Sequence, residues 1–207
     1  MNKRLFTLSA LLLCLAVSCT SPDRLTYPDC AMYGLNGKVK AVHTIISSDG
    51  ESEEYTLRFK KNGLCTTHRT DRNWQGEAVV NSVERDSCNR ITIRTTMGKR
   101  DKKSKVKTRY TYNSNGNVST TNSMWHGKTV ITENYEYNAD GLLTKVVRNI
   151  LDDNPSTETI LFRNPKFDTN KNWIEREGLK INEKSGEGEE RVTKERVFTE
   201  KRKITYY

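Results

Sequence analysis

Residues 110–118 read YTYNSNGNV and contain the pattern from which the fold can be predicted. An aromatic residue ends an alternating segment, a short polar turn follows, and a glycine precedes the next β-rich segment. In the alternating segment, Val106, Thr108 and Tyr110 share one side of the chain, as expected for the period of two of a β-strand. The stretch therefore predicts a strand, a tight turn and a second strand.

The same pattern occurs five times along the chain. The copies begin at Phe59, Arg85, Tyr112, Tyr137 and Phe167, with spacings of 26, 27, 25 and 30 residues. A nearly regular period of this length indicates a repeat architecture in which every copy contributes the same supersecondary unit. We expect each copy to form one β-hairpin.

The fifth residue of each copy must accept a positive φ, because the chain reverses there in a tight hairpin turn. Gly63, Asn89, Gly116 and Gly141 occupy this position in the first four copies and tolerate such a φ. Lys171 occupies it in the last copy and does not. We therefore expect the last turn to be either wider or strained.

Each repeat also contains a second reversal about halfway along. These far turns are predicted at Asp49-Gly50, Trp74-Gln75-Gly76, Met97-Gly98-Lys99, Trp125-His126-Gly127, Asp152 to Ser156 and Gly186 to Gly188. The predicted fold is all-β, an antiparallel meander of repeated β-hairpins with roughly 10–13 strands in an open twisted sheet. We expect no helix of consequence after the N-terminal signal.

The N-terminus reads as a secretory signal, because Lys3 and Arg4 precede an apolar stretch over residues 5–17. The following LAVSC at 15–19 resembles a bacterial lipobox, which implies cleavage before Cys19 and acylation of its sulfur. A plain signal peptide cut nearby, with an ordinary cysteine left over, is the alternative. Two or more acyl chains on Cys19 would anchor the protein stably to a membrane.

Three segments are therefore expected: a lipoprotein signal peptide over 1–18, a lipidated tether over 19–34 and a β-hairpin repeat domain over 35–207. Loss of residues 1–18 lowers the formal net charge from +9 to +7 and the apolar fraction from 34% to about 31%. A thick two-layer core is hard to build from so few apolar residues. Three cysteines remain besides the acylated one, so at most one disulfide forms among Cys30, Cys65 and Cys88.

The turn strings resemble the YD, or RHS-type, repeats of bacterial surface proteins, whose core reads roughly Tyr-Asp-x-x-Gly-Arg/Asn-Leu. The resemblance covers residues 55–177 and is carried by YTYNSNGNV at 110–118, YEYNADGLLT at 135–144, FDTNKNWIERE at 167–177 and the degenerate RDSCNRI at 85–91. In such families the repeats build long β-sheets that bind carbohydrate or wrap a cargo toxin. This chain has few copies and no toxin domain, so the resemblance implies architecture more than activity.

A basic stretch is the first candidate for ligand binding. It consists of Lys99, Arg100, Lys102, Lys103, Lys105, Lys107 and Arg109, with Asp101 as the single acid among them. One interpretation is a solvated hairpin tip whose charges discourage edge pairing. The other is a contact for anionic glycan, lipopolysaccharide phosphate or a lipid surface. Nucleic acid would select the same charge, but an exported lipoprotein seldom meets it. A C-terminal mix of acids and bases nearly neutralises itself and indicates an ordinary strand surface. It consists of Arg191, Lys194, Arg196, Lys201, Arg202 and Lys203 with Glu189, Glu190, Glu195 and Glu200.

Trp74 and Trp125 form the second candidate, because both lie in a Trp-Xaa-Gly far turn on the same predicted edge of the sheet. An exposed indole row could stack on sugar rings. Alternatively, each tryptophan folds back over its own hairpin and covers a thin core. Trp173, directly after a turn of the opposite edge, is expected to be structural.

No metal site, cofactor or catalytic motif is predicted. His43, His68 and His126 lack the spacing of metal ligands, and the calcium-like run from Asp168 has Lys171 where an EF-hand needs glycine. A hydrolase with an unrecognised carboxylate site is the remaining enzymatic alternative. It would need two acids close together on one sheet face. Glu133 and Glu175 are examples of strand carboxylates that could belong to such a pair.

The sequence therefore predicts a non-enzymatic lipoprotein of the bacterial cell envelope. We expect it in the outer membrane, with its orientation open, and we expect a binding role, with anionic glycan as the candidate ligand. The alternative is a structural or assembly partner that pairs with another envelope protein through an open sheet edge.

Overall fold

The computed structural model describes residues 27–66, 78–98, 105–151, 153, 155–184 and 193–207. These residues form one short helix and eleven strands. The elements are α1 (Pro28–Met32), β1 (Val39–Ser48), β2 (Glu51–Arg58), β3 (Ala78–Arg85), β4 (Ile91–Gly98), β5 (Lys105–Tyr112), β6 (Val118–Trp125), β7 (Lys128–Tyr137), β8 (Leu143–Ile150), β9 (Ser156–Phe167), β10 (Trp173–Lys184) and β11 (Thr193–Tyr206).

All eleven strands belong to one open antiparallel sheet, so the predicted all-β meander of hairpins is confirmed. From β3 to β11 every strand pairs with the next one along the chain. The sequence did not indicate that β1 pairs with β11 as well as with β2. The strand order is therefore β2-β1-β11-β10-β9-β8-β7-β6-β5-β4-β3, and the sequence neighbours β2 and β3 are the two edges.

The five predicted hairpin turns at the repeat motifs, which we call near turns, share one backbone geometry. In the copy at Tyr112, the amide of Asn113 donates to the carbonyl of Asn117 and the amide of Gly116 donates to the carbonyl of Asn113, both at 2.9 Å. The other four copies repeat this pair of bonds. It is the three-residue hairpin loop, a type I turn followed by a residue with positive φ.

A side-chain cap holds this turn in four of the five copies. Asn113 Oδ1 accepts the amides of Asn115 and Asn117, each at 3.0 Å. Asp86, Asn138 and Asp168 cap their turns in the same way. The first copy has Lys60 at this position, and there Asn62 Oδ1 accepts the amide of Leu64 instead.

The last turn is not wider than the others, so of the two expected alternatives the strained turn is the one found. Lys171 adopts a φ of 61° and its amide donates to the carbonyl of Asp168 at 3.1 Å, as in the other copies. A lysine in this left-handed region is strained, because its Cβ crowds the backbone.

Two of the predicted far turns are two-residue loops with positive φ at both positions. They are Asp49-Gly50 and His126-Gly127, with φ values of 49°, 81°, 48° and 79°. The reversal between β8 and β9 is also present. Met97 and Gly98 belong to strand β4, so the predicted turn is wrong for these two residues. Lys99 and the far turns at 74–76 and 186–188 lie outside the described residues.

The apolar core is small and divided, as the low apolar content suggests. One cluster, at the β1–β2 end of the sheet, contains Cys30, Leu35, Val39, Val42, Leu57 and Phe59. A second, towards the β3 end, contains Ile91, Tyr110 and Val118. The side chain of Met32 packs against this second cluster. One short helix therefore contacts both clusters, which requires the sheet to curve until its two ends approach α1.

The N-terminal part of the folded domain corrects the predicted extent of the tether. Residues 28–34 do not belong to a tether, because Pro28–Met32 is helical and Asp29 is 1% exposed. Asp29 receives two hydrogen bonds from the guanidinium of Arg85, at 2.8 and 3.0 Å, and one from the amide of Cys65 at 2.7 Å. A buried carboxylate is tolerated only when paired in this way. Because Arg85 ends β3 and Cys65 follows β2, the helix connects the two edges of the sheet.

Replacing Lys171 by glycine should stabilise the protein. Glycine adopts a positive φ without the steric cost, so we expect the free energy of unfolding to rise by about 1 kcal/mol. Urea unfolding followed by circular dichroism measures the change.

The matched control is Lys61→Gly in the first near turn, where φ is not positive. This substitution should be neutral or destabilising, because glycine then only adds freedom to the unfolded chain. Equal stabilisation by both variants would contradict the assignment of strain to Lys171.

Candidate functional site

The register of the strands assigns every side chain to one of two faces. Residues paired across neighbouring strands point to the same side of a sheet. Tyr110 pairs with Thr121, and Arg109 pairs with Asn122 on the opposite side. We call the side that carries Tyr110 the inner face, because α1 packs there, and the side that carries Arg109 the outer face.

Three predicted basic residues lie on the outer face of β5. Lys105, Lys107 and Arg109 alternate with inward residues and are exposed. Lys107 Nζ lies 4.0 Å from Glu84 Oε1. Their cross-strand neighbours carry no charge; these are Ile93, Thr95, Met97, Asn122 and Met124. Lys99, Arg100, Lys102 and Lys103 lie outside the described residues.

Trp125 does not share a surface with these bases. It ends β6, is 38% exposed and packs edge-on against His126, with 4.6 Å between the ring centroids. Its cross-strand partner is Val106, which belongs to the inner face. Trp74 lies outside the described residues. Trp173 is 4% exposed and therefore structural, as predicted.

The histidines and the calcium-like turn make ordinary polar contacts. His43 Nδ1 lies 3.1 Å from Thr56 Oγ1, and His126 occupies a far turn. The carboxylate of Asp168 caps its own near turn and also accepts the hydroxyl of Tyr206. Among the described residues, no three His, Cys, Asp or Glu side chains are grouped to hold a metal ion. His68 lies outside them.

The inner face carries a chain of charges that the sequence analysis did not find. Arg148 contacts Glu133 at 2.8 Å and Glu158 at 3.1 Å, and Lys180 continues the chain from Glu158. Glu133 also accepts the hydroxyls of Thr121 and Tyr135, each at 2.7 Å. Burial alone would raise the pKa of Glu133, but Arg148 and these hydrogen bonds outweigh it and hold the pKa below its usual value.

Glu133 and Glu158 are two acids close together on one sheet face, the arrangement that a hydrolase would need. A general acid, however, requires a carboxyl whose pKa is raised so that it carries a proton. Glu133 has a lowered pKa, and both carboxylates are bound to Arg148. Glu175 lies on the outer face, paired with Lys166. The inner acids therefore fit a structural network better than an acid–base pair.

A second inner cluster surrounds Trp173. The guanidinium carbons of Arg176 and Arg202 lie 4.0 and 3.4 Å from the centroid of its ring, and Arg176 also lies 3.5 Å from the centroid of Phe162. Glu200 accepts a 2.6 Å hydrogen bond from Arg176 Nε and is 6% exposed. The prediction of an ordinary strand surface is therefore wrong for Glu200 and Arg202. Alternation along β11 was the one signal in the sequence for this cluster. It places Glu200 and Arg202 on the opposite face of the strand from Lys201 and Lys203.

Comparison with known proteins adds no relative to this description. No protein-family model, curated protein or solved structure matches the chain. Among the described residues, none of the helical segments has the length and apolar character needed to cross a membrane.

Removing the charge of Glu133 should change how stability depends on pH. A carboxylate with a lowered pKa in the folded state stabilises the protein above its unfolded pKa, near 4.5. That stabilisation is lost as the pH falls through the folded pKa. We expect Glu133→Gln to be less stable than the wild type at pH 7, with a difference that shrinks below about pH 4.5.

Urea unfolding of both proteins between pH 3 and pH 7 measures this difference. Glu136→Gln, which removes an exposed carboxylate of the same strand, is the control. A constant difference between Glu133→Gln and the wild type over this range would contradict the assignment.

Proposed function

We propose that this chain is a non-catalytic binding protein of the bacterial envelope, anchored by a lipid on Cys19, that holds an anionic glycan on the outer face of β5. The observation that supports the proposal is the net positive charge of Lys105, Lys107 and Arg109, which exceeds the single negative charge of Glu84, 4.0 Å from Lys107. Three bases in alternating positions of one strand, with uncharged cross-strand neighbours, produce a positive surface potential.

The outer face of β9, β10 and β11 provides the contrast. There Lys166 lies 2.8 Å from Glu175, and Arg163 lies 3.0 Å from Glu177. Lys201 approaches Glu175 from the other side at 3.9 Å. Bases that face acids across neighbouring strands neutralise one another. The bases of β5 therefore differ from these bases in their cross-strand neighbours, which are uncharged.

Reversing two of these charges tests the proposal. The variant carries Lys105→Glu and Lys107→Glu, and the probe is heparin, a glycan of high negative charge. We expect the dissociation constant at low salt to rise at least tenfold, and its dependence on salt concentration to become weaker. Fluorescence anisotropy of labelled heparin measures both.

The control variant carries Lys38→Glu and Lys40→Glu, which changes the net charge by the same amount at exposed positions of another region. It should bind heparin with less than a threefold loss. Equal weakening in both variants would show that only net charge matters and would contradict a site on β5.

A second function is favoured by the edge strand β3. Its residues 78–83 read AVVNSV and carry no charge, whereas the other edge strand, β2, begins with ESEE. Charged residues on an edge strand discourage pairing with another chain. An uncharged edge strand is suited to pairing with a strand of another envelope protein.

Photo-cross-linking separates this alternative from glycan binding. A photoreactive residue in place of Ser82 should yield a discrete protein adduct in cells that produce the lipoprotein. The same residue in place of Ser52, on the acidic edge, should yield none. Absence of an adduct from both positions would contradict an edge-pairing role.

A further inference from the structure

Four buried polar atoms without hydrogen-bond partners lie close together on the inner face. They are Thr44 Oγ1, Arg176 Nη1, Arg202 Nε and Arg202 Nη1, and none has a partner among the described residues. Buried polar groups are nearly always paired, so a concentration of four requires a physical reason.

The register explains why these atoms meet. Thr44 of β1 is the cross-strand partner of Arg202 of β11, and Arg176 of β10 is the partner of Glu200, two residues before Arg202. All three side chains therefore point to the inner face from three adjacent strands. Thr44 is fully buried and Arg176 is 6% exposed.

The charges of this cluster do not balance. Arg176 and Arg202 contribute two positive charges, and Glu200 contributes one negative charge. The hydroxyl of Tyr55 also interacts with Arg202, but it is neutral. Burial, together with the neighbouring charge of Arg176, lowers the pKa of Arg202 to about 10. Within this group of described residues, one positive charge therefore has no acid paired with it.

The aromatic rings restrict where a counter-charge can bind. Trp173 and Phe162 cover faces of the two guanidinium groups at 3.4–4.0 Å. A guanidinium donates its hydrogen bonds in its own plane, so stacked rings leave the edges as the places for acceptors. The rings also hold the donors in a fixed orientation, which lowers the entropic cost of binding.

We propose that Thr44, Arg176 and Arg202 bind one carboxylate group of a small monoanionic ligand. The unpartnered nitrogen atoms are donors, and the hydroxyl of Thr44 can donate too, so the ligand must supply acceptors. A carboxylate supplies two acceptor oxygens and a single negative charge, which matches the charge deficit. A phosphate dianion would leave an excess negative charge buried beside Glu200.

This site is independent of the proposed glycan surface, because it lies on the inner face whereas Lys105, Lys107 and Arg109 lie on the outer face. The carboxylate could belong to a free acid or to a uronic acid of a glycan. Both present the same chemistry to the three side chains, and the experiment below includes one of each.

Thermal unfolding of the purified chain tests the proposal. Sodium acetate, sodium glucuronate and sodium phosphate are titrated separately from 0.1 to about 50 mM, with sodium chloride keeping the ionic strength constant. For the wild type we expect a saturable rise in Tm of several degrees with acetate or glucuronate, and a smaller rise with phosphate. A rise with glucuronate but not with acetate would assign the site to an acidic sugar.

The variant Arg202→Met removes one donor group and should lose the carboxylate-dependent rise in Tm. The control Arg196→Met removes an exposed arginine of the same strand and should keep it. Thr44→Val removes only a hydroxyl and should raise the carboxylate concentration at half-saturation about threefold or more. This second variant tests the site even if Arg202→Met fails to fold.

Three results would overturn the proposal. One is the absence of any carboxylate-dependent rise for the wild type. The second is an equal rise for the wild type, Arg202→Met and Thr44→Val, which would indicate a general salt effect. The third is a larger rise with phosphate than with either carboxylate, which would exclude a monoanion site.

Discussion

Every hairpin at the near end of the sheet depends on one backbone reversal, a type I turn followed by a residue with positive φ. An Asn or Asp side chain caps this turn in four copies by accepting two amides of the loop. The geometry fixes the loop at three residues, and loop length fixes the register of the following strand. Since a slip of one residue would exchange the two faces, the turns also decide which side chains are buried.

The turn keeps its geometry even where a lysine occupies the position that requires a positive φ. Lys171 adopts a φ of 61° although a lysine is strained there. The cap from Asp168 is intact in this copy, and the carboxylate is held further by Tyr206. Asn172 also binds Tyr206 and the backbone of Asn36, so contacts from β11 and the N-terminal segment hold the strained turn in place.

The hairpins and the alternation of their side chains could be predicted from the sequence, because turn chemistry and alternation are local. The repeat therefore indicated the hairpins, the number of strands and the opposite faces of Thr108 and Arg109. Pairing of β1 with β11 and docking of α1 could not be predicted, because they join residues far apart in sequence without a repeated motif. For the same reason, the ion pair of Asp29 with Arg85 could not be predicted, and neither could the helix that replaces the end of the expected tether.

The inner face shows the consequence of building a sheet from few apolar residues. Its two apolar clusters lie towards the β1–β2 and β3 ends of the sheet, and charged or polar side chains cover much of the face between them. Where acids and bases alternate across strands, as in the Glu133 to Lys180 chain, the charges satisfy one another. At Arg176 and Arg202 the charges do not balance, because the cluster contains two bases and one acid, Glu200. In a sheet face where paired charges replace apolar packing, an unpaired charge is the unusual feature. The excess positive charge at Arg176 and Arg202 is therefore the feature of this face best suited to binding a ligand.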